Sequence, residues 1–452
     1  MALKQMDALA ALREAAGEVI ETSLCDVQGN WLALVNTEEG KRLAFAAKGE
    51  AALSALWKDV EKEADVKDVH VSVMALNANN AALVRRYVKW TAPTACGTKG
   101  ASIGFSDWLG EADAVVAELF GKRQLKPVLV DFTTEDSEAL QRYFVQAVDT
   151  ATWGVLEEGY KEGYGANAAG LKTEEEIVKA LLYGYSMIGF DCSDKIDLGI
   201  EKLSDEAVDK RFEQFNETFR AALHASYLNA EFKVGTSKIT FTENQLHRIV
   251  LEYGEAIMHI QFIYNSYLKN TPWDIDFELD LSKPGKVLTP QEHYLIGNEL
   301  QRNGIKLSSI CLDPLKDAEA VNDNLQLHCE IADTFGYRLS FKNADIAMND
   351  TAAAMKYLKG KVHFKMNNIL WLSAIELAKA LDADLFGKLC AACGCEPTAD
   401  AADRALVLGY RKALNPKEEG NVAADMKAFL EAHHAEYAAA IKESVAAKLK
   451  NI

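Results

Sequence analysis

"DFELDLSKPGKVLTPQEHYLIGNELQRNGIKLSSICL", residues 276–312, contains one complete unit of the pattern that decides the fold. Polar and apolar residues alternate over Asp276–Leu281, as in a strand. Thr289-Pro-Gln-Glu292 then forms a capping box, in which the Thr289 and Glu292 side chains each take an orphan backbone N–H. Pro290 occupies the first helical position, where no N–H is needed. The predicted helix closes at Gly304, and Ile305–Leu312 reads as the next strand. Strand, capped helix, strand is a βαβ unit, which runs its strands parallel.

The unit recurs on both sides. Downstream, Asp317–Phe335 is a helix closed by Gly336, Arg338–Phe341 a strand, Thr351–Leu358 a helix closed by Gly360, Lys361–Lys365 a strand and Ile369–Leu381 a helix. Asn349 and Asp350 read as helix caps. Upstream, Ser102–Asp107, Pro127–Phe132, Tyr164–Asn167 and Ser186–Asp191 are predicted strands. A helix over Ser137–Trp153 follows the second, and Thr173-Glu-Glu-Glu176 is another capping box. About eight βα units predict an α/β chain folded as a (β/α)8 barrel. The rival, an open doubly wound sheet, lacks the Gly-rich fingerprint expected after an early strand.

Residues 1–93 read as a small α+β unit. Trp31–Asn36 and Lys41–Ala46 form its hairpin, Glu50–Ala64 a helix, Val69–Leu76 a strand and Ala81–Tyr87 a helix. The barrel spans 94–383. Residues 194–270 interrupt it as a helical insertion, with helical stretches at Asp205–Leu228 and Thr242–Leu268 and a hairpin around Gly235. Residues 384–452 form a helical extension, whose Ala richness over 421–449 reflects helix propensity.

Composition narrows the function. The 452 residues are 49% apolar, enough for a large core, and carry a net charge of −18, which repels nucleic acid and anionic membrane surfaces. No apolar run is long enough to span a membrane. The N-terminal stretch, broken by Asp7, Arg13 and Glu14, reads as a surface helix. The eight Cys fit reduced thiols of a cytoplasmic protein. Cys390, Cys393 and Cys395 lack a nearby second ligand pair for zinc and read as a helix end.

Barrel active sites lie where the strands end. The strand ends carry Asp107, Asp131, Asn167 with Lys172, Asp191 with Ser193, Glu278 with Asp280, Asp313, Lys342 with Asp345, and Lys365 with Asn367. Asp107, and Asp313 before Pro314, also suit turns and caps. Glu278, flanked by Phe277 and Leu279, is costly to bury unless paired or functional. If Lys172, Lys342 and Lys365 converge, they form a cationic pocket for a carboxylate or phosphate, in which one lysine, crowded by the others, titrates lower and serves as a base. His363 shares the strand face of Lys365. His293 reads as structural.

NAALVRRYVKWTAP (80–93), SIGFSDWLG (102–110), GYKEGYGANAAGLKTEEEI (159–177), FDCSD (190–194), FELDL (277–281), TPQEHYLIGNEL (289–300), YRLSFKNAD (337–345) and KVHFKM (361–366) resemble, in order, segments of the tagaturonate epimerase family. The resemblance implies a barrel enzyme that inverts a hydroxyl-bearing carbon of a keto-hexuronate with a divalent metal. Lys172, Asp191, Ser193, Glu278, His363 and Lys365 match the family. The family's Ala-Asp-Ala-Asp-His-Leu-Lys is here Ala166-Asn-Ala-Ala-Gly-Leu-Lys172, its histidine after the Leu-Ser strand is Lys342, and its acidic segment after Glu278 is Asp280-Leu-Ser-Lys283. These changes replace carboxylate and imidazole metal ligands, so the expected site favours an anion over a cation.

The expected function is epimerisation or isomerisation of a small anionic sugar or sugar acid. Lys172, Glu278, Lys342 and Asp345 are assigned to catalysis, and Asp107, Asn167, Asp191, Ser193, His363 and Lys365 to substrate binding. No cofactor beyond the family's metal is implied. Two alternatives stay open: an inactive homologue that binds a sugar acid or a partner, and an aldolase using Lys342 as a Schiff base. Assembly into a homo-oligomer, through the N-terminal unit, is also left open.

Overall fold

The structure, a computed structural model, describes residues 2–48, 54–121, 123, 125–281, 288–315, 318–348, 351–450 and 452. Eight parallel strands close into a barrel. From first to eighth they are Ser102–Phe105, Lys126–Thr133, Gly165–Leu171, Met187–Asp191, Asp276–Asp280, Ser309–Leu312, Arg338–Phe341 and Val362–Met366. The eighth pairs with the first, His363 beside Ser102 and Lys365 beside Gly104, so the sheet has no edge. In the fifth, Glu278 stands between Gly189 of the fourth and Ser309 of the sixth. The insertion therefore leaves the barrel order intact. Both expected capping boxes form, Thr173 with Glu176 and Thr289 with Glu292.

Alternation along each strand sends Phe277, Leu279, Ile310, Leu339, Phe341 and Phe364 outward, where the helices bury them. The inward set is polar: Ser102, Asn167, Glu278, Ser309, Ser340, His363 and Lys365 are all buried. Such an interior is tolerated only if its groups satisfy one another.

The N-terminal unit is a five-stranded antiparallel sheet in the order Glu18–Val27, Asn30–Thr37, Gly40–Lys48, Val69–Met74, Val60–Val66. Helix Gln5–Ala15 covers one face. Helix Ala78–Tyr87 covers the other, together with Trp153 and Leu156 of the barrel helix Phe144–Glu158.

Four expectations are corrected. The helix expected over Glu50–Ala64 is, in its described part, a 3-10 turn at Ser54–Leu56 followed by the strand Val60–Val66; residues 50–53 lie outside the described residues. The single helix at Ser137–Trp153 is two, Thr134–Leu140 and Phe144–Glu158, because Gln141 turns left-handed at φ 52°. The stretch Asp205–Leu228 likewise splits into Asp205–Phe212 and Glu217–Tyr227, the second capped by the Asn216 side chain. The third barrel strand runs to Leu171, beyond the expected Asn167. The caps assigned to Asn349 and Asp350 lie outside the described residues. Among the described residues no helix is long and apolar enough to cross a membrane.

Candidate active site

The C-terminal ends of the strands surround a cavity of about 560 Å³. Its floor is built from ion pairs. Lys365 Nζ lies 2.5 Å from Glu278 Oε1 and 3.7 Å from Asp131 Oδ1. Ser309 Oγ donates to the other Glu278 oxygen at 2.8 Å, and Asn167 Nδ2 donates to Asp131 at 2.9 Å. Asp131 has room because residue 104 is Gly: a Cβ there would lie 2.6 Å from Asp131 Oδ2. Lys342 is paired with Asp280. Lys172, nearer the rim, reaches Asp194 at 2.8 Å and Asp191 at 3.8 Å. The three lysines therefore do converge on one cavity.

They do not make it cationic, which corrects the expected anion pocket. Lys172, Lys342, Lys365 and Arg411 share the wall with Asp131, Glu135, Asp136, Glu138, Glu176, Asp191, Asp280 and Asp313. A bound carboxylate must exchange with a protein carboxylate for its cation. Nor does any buried lysine become a base. Burial alone would lower Lys365, but Asp131 and Glu278 outweigh it and hold the ammonium well above the usual range. The same balance, with Asp280 as partner, raises Lys342. Burial would raise Glu278, yet the Lys365 charge and hydrogen bond bring it below the usual carboxylate range. Burial raises Asp131 and Asp191, the latter helped by Asp280. Fixed ammonium donors thus share the cavity with two carboxyl groups whose proton affinity is raised.

Several predicted residues serve the site's framework. Asp107 accepts the backbone N–H groups of Gly110 and Ala112, at 2.8 and 2.7 Å, and holds its loop without lining the cavity. Asn167 lies beneath the floor and orients Asp131. Ser193 donates its backbone N–H to Asp191 at 2.8 Å. His363 is fully buried below Lys365, with Nδ1 2.9 Å from Ser102 Oγ; burial pushes it down to about 3, so the ring is neutral. Asp313, read as a turn former, accepts the Leu315 N–H at 3.2 Å and also lines the cavity.

Asp345 does not reach the cavity. Its carboxyl accepts from the backbone and side chain of Asn368, at 2.9 and 3.3 Å, and places that residue on the cavity wall. Burial raises it to about 6, against about 3.9 in an unfolded chain. The folded protein then binds the extra proton between roughly pH 4 and 6, so this group's contribution to stability falls as pH rises through that window, by roughly 3 kcal/mol at most. Asp345→Asn should flatten that part of the stability profile, measured by urea unfolding at several pH values.

The C-terminal extension supplies a wall that the sequence reading missed. Tyr410 stacks on Trp108 with centroids 3.4 Å apart and planes 5° from parallel. Its hydroxyl donates to Asp136 at 2.6 Å, and Arg411 bonds Asp136 at 2.7 Å and Glu135 at 2.5 Å. Cys390, Cys393 and Cys395 lie elsewhere, around the C-terminus of helix Ala383–Cys393, which Gly394 closes at φ 76°.

The donors that this cavity offers the metal implied by the resemblance are carboxylates, among them Asp131, Asp191, Asp280 and Asp313. Among the described residues no imidazole lines it. Lys342 already holds Asp280, and Lys365 holds Glu278. The three-donor cluster of His, Asp, Glu or Cys found among the described residues lies in the insertion, at His224, Glu243 and His247.

The family model for tagaturonate epimerase matches residues 20–435. This chain belongs to that family. A tagaturonate/fructuronate epimerase of Thermotoga maritima is 28% identical over 383 residues, covering 82% of this chain and 78% of the relative. The glycerol-complexed crystal structure of the fructuronate-tagaturonate epimerase from Cohnella laeviribosi superposes with a TM-score of 0.86 at 25% identity, over 97% of this chain and 98% of that one. The native structure of that enzyme gives the same TM-score at 24% identity.

Proposed function

We propose that the protein epimerises a small sugar acid of the keto-hexuronate class, with fixed ammonium groups in the barrel where the family places a metal. The observation that carries this reading is the cavity floor: Lys365 and Lys342, each locked to a carboxylate, beside Asp131 and Asp191, whose proton affinity burial raises.

The relatives are named for tagaturonate and fructuronate, which differ, like tagatose and fructose, at C4. The C4 hydrogen is not α to the C2 carbonyl, so its removal would gain no enolate stabilisation. The C3–C4 bond, however, is an aldol bond. A carboxylate at Asp191 or Asp131 takes the C4 hydroxyl proton, C3–C4 breaks, and the electron pair moves into a C2–C3 enediolate. Lys365 or Lys342 donates to that oxyanion from a preorganised position. A half-turn of the aldehyde and re-addition then invert C4, and the carboxyl returns the proton. The glycerol complexes of the Cohnella enzyme support polyol affinity at this fold.

The test is incubation with tagaturonate, fructuronate and a panel of sugar acids in heavy water. Epimer is expected to form with no carbon-bound deuterium at C4, and no turnover across the panel would sink the reading. Full pairing of the lysines also favours a second reading, a homologue that binds sugar acids without turnover. A thermal midpoint raised by a sugar acid, in the absence of product, would mark it. Schiff-base chemistry is disfavoured because Asp280 keeps Lys342 an ammonium, which is not nucleophilic. Borohydride trapping with a keto sugar should leave Lys342 unlabelled by peptide mass mapping.

A further inference from the structure

We propose that the helical insertion carries a divalent-metal site of the zinc class, formed by His224, Glu243 and His247. Their donor atoms lie within 4.8 Å of one another. Three helices meet there: Asp205–Phe212, Glu217–Tyr227 and Glu243–Ile263. Glu243 and His247 are four residues apart on the last helix, so they share a face, and His224 approaches from the second.

The orientation of His247 points to a ligand. Its Nδ1 lies 2.6 Å from Asp209 Oδ1. A carboxylate only accepts, so Nδ1 donates, and in the neutral ring Nε2 keeps its lone pair. That lone pair accepts the Nε2 proton of His224 at 2.9 Å, and an ion would replace that proton once His224 carries its own on Nδ1. A carboxylate that fixes the outer nitrogen of an imidazole is the usual arrangement behind a metal-ligating histidine. Phe212 stacks on His247 at 3.8 Å and 15°, which fixes the ring plane.

The third donor is close: Glu243 Oε1 is 4.0 Å from His224 Nε2. A tetrahedral zinc with ligands at about 2.0–2.1 Å sets donor atoms about 3.4 Å apart. The two imidazoles therefore part by about half an ångström, and the exposed Glu243 carboxylate closes in. Two histidines and one carboxylate are a zinc donor set, with water as the fourth ligand. Because the ligands come from two helices and Asp209 from a third, the ion would tie the insertion together.

Full-length protein stripped with a chelator would be titrated with zinc chloride in a calorimeter and with cobalt(II) in a spectrophotometer. The expected result is one ion per chain, a tetrahedral cobalt spectrum and a thermal midpoint that rises with zinc. His224→Asn and Glu243→Gln alter partly exposed groups and should each weaken binding by about tenfold or more. Asp209→Asn should weaken it about 10–100-fold. Circular dichroism checks that each variant folds. No zinc binding to the wild-type chain at millimolar metal would overturn the proposal. So would binding unchanged in His224→Asn but lost in Asp280→Asn, which would put the ion in the barrel.

Discussion

Lys365→Met should cost about 3–5 kcal/mol of stability and abolish epimerisation, because it strands two carboxylates in a closed barrel. Lys365 and Glu278 side chains are only 3% and 1% exposed, so water cannot take over the lost partner. The second change tests the cause. Adding Glu278→Gln removes the uncompensated charge while keeping an acceptor for Ser309, so the double variant should regain more than half of the loss. Activity should not recover in the double variant, since one of the two oxyanion donors is still missing. Urea unfolding measures the first part and product formation the second. A Lys365→Met protein as stable as wild type would mean that the pair does not anchor the floor.

Lys342→Met should lower kcat by about 10²–10³, the size of losing one preorganised oxyanion donor. Lys342 is less enclosed, with its side chain 24% exposed, and Asp280 opens on the same cavity. Its loss should therefore affect catalysis more than folding. Lys342→Arg keeps a cation beside Asp280 and should retain more activity than Met. Steady-state kinetics on the two variants decide this: equal kcat in Met and wild type would remove Lys342 from the reaction.

What was legible in the sequence followed from local chemistry. Thr173, Glu176, Thr289, Pro290 and Glu292 mark helix starts through bonds made within four residues, and those starts fixed the βα rhythm. The ends of the strands placed Asp280, Lys342 and Lys365 at one cavity, because a closed barrel leaves them one common end. The strand Val60–Val66 was misread because VEKEADV is rich in helix formers. It is an edge strand, whose charges discourage pairing with other chains, and so it carries no apolar period of its own. Asp345 pointed away from the cavity because Asn343, at φ 50°, turns the chain left-handed after the strand, a reversal that no side-chain pattern announces. Tyr410 and Arg411 reach the cavity across long stretches of chain, Tyr410 stacking on Trp108 at 3.4 Å and Arg411 bonding Asp136, 275 positions earlier, at 2.7 Å. Such long-range contacts leave no local trace. Convergence of the lysines was legible, but their neutralisation was not, because it depends on Asp131 and Asp280 facing inward beside them.

The central claim is that paired ammonium groups, rather than a barrel metal, carry the chemistry. It is tested most directly by the rate of tagaturonate–fructuronate interconversion after exhaustive chelation. The His224→Asn chain should be used, so that the insertion cluster cannot contribute. The account predicts turnover within about twofold of the untreated rate, whatever divalent ion is then added. Loss of turnover on chelation, with recovery when a divalent ion is returned, would contradict it.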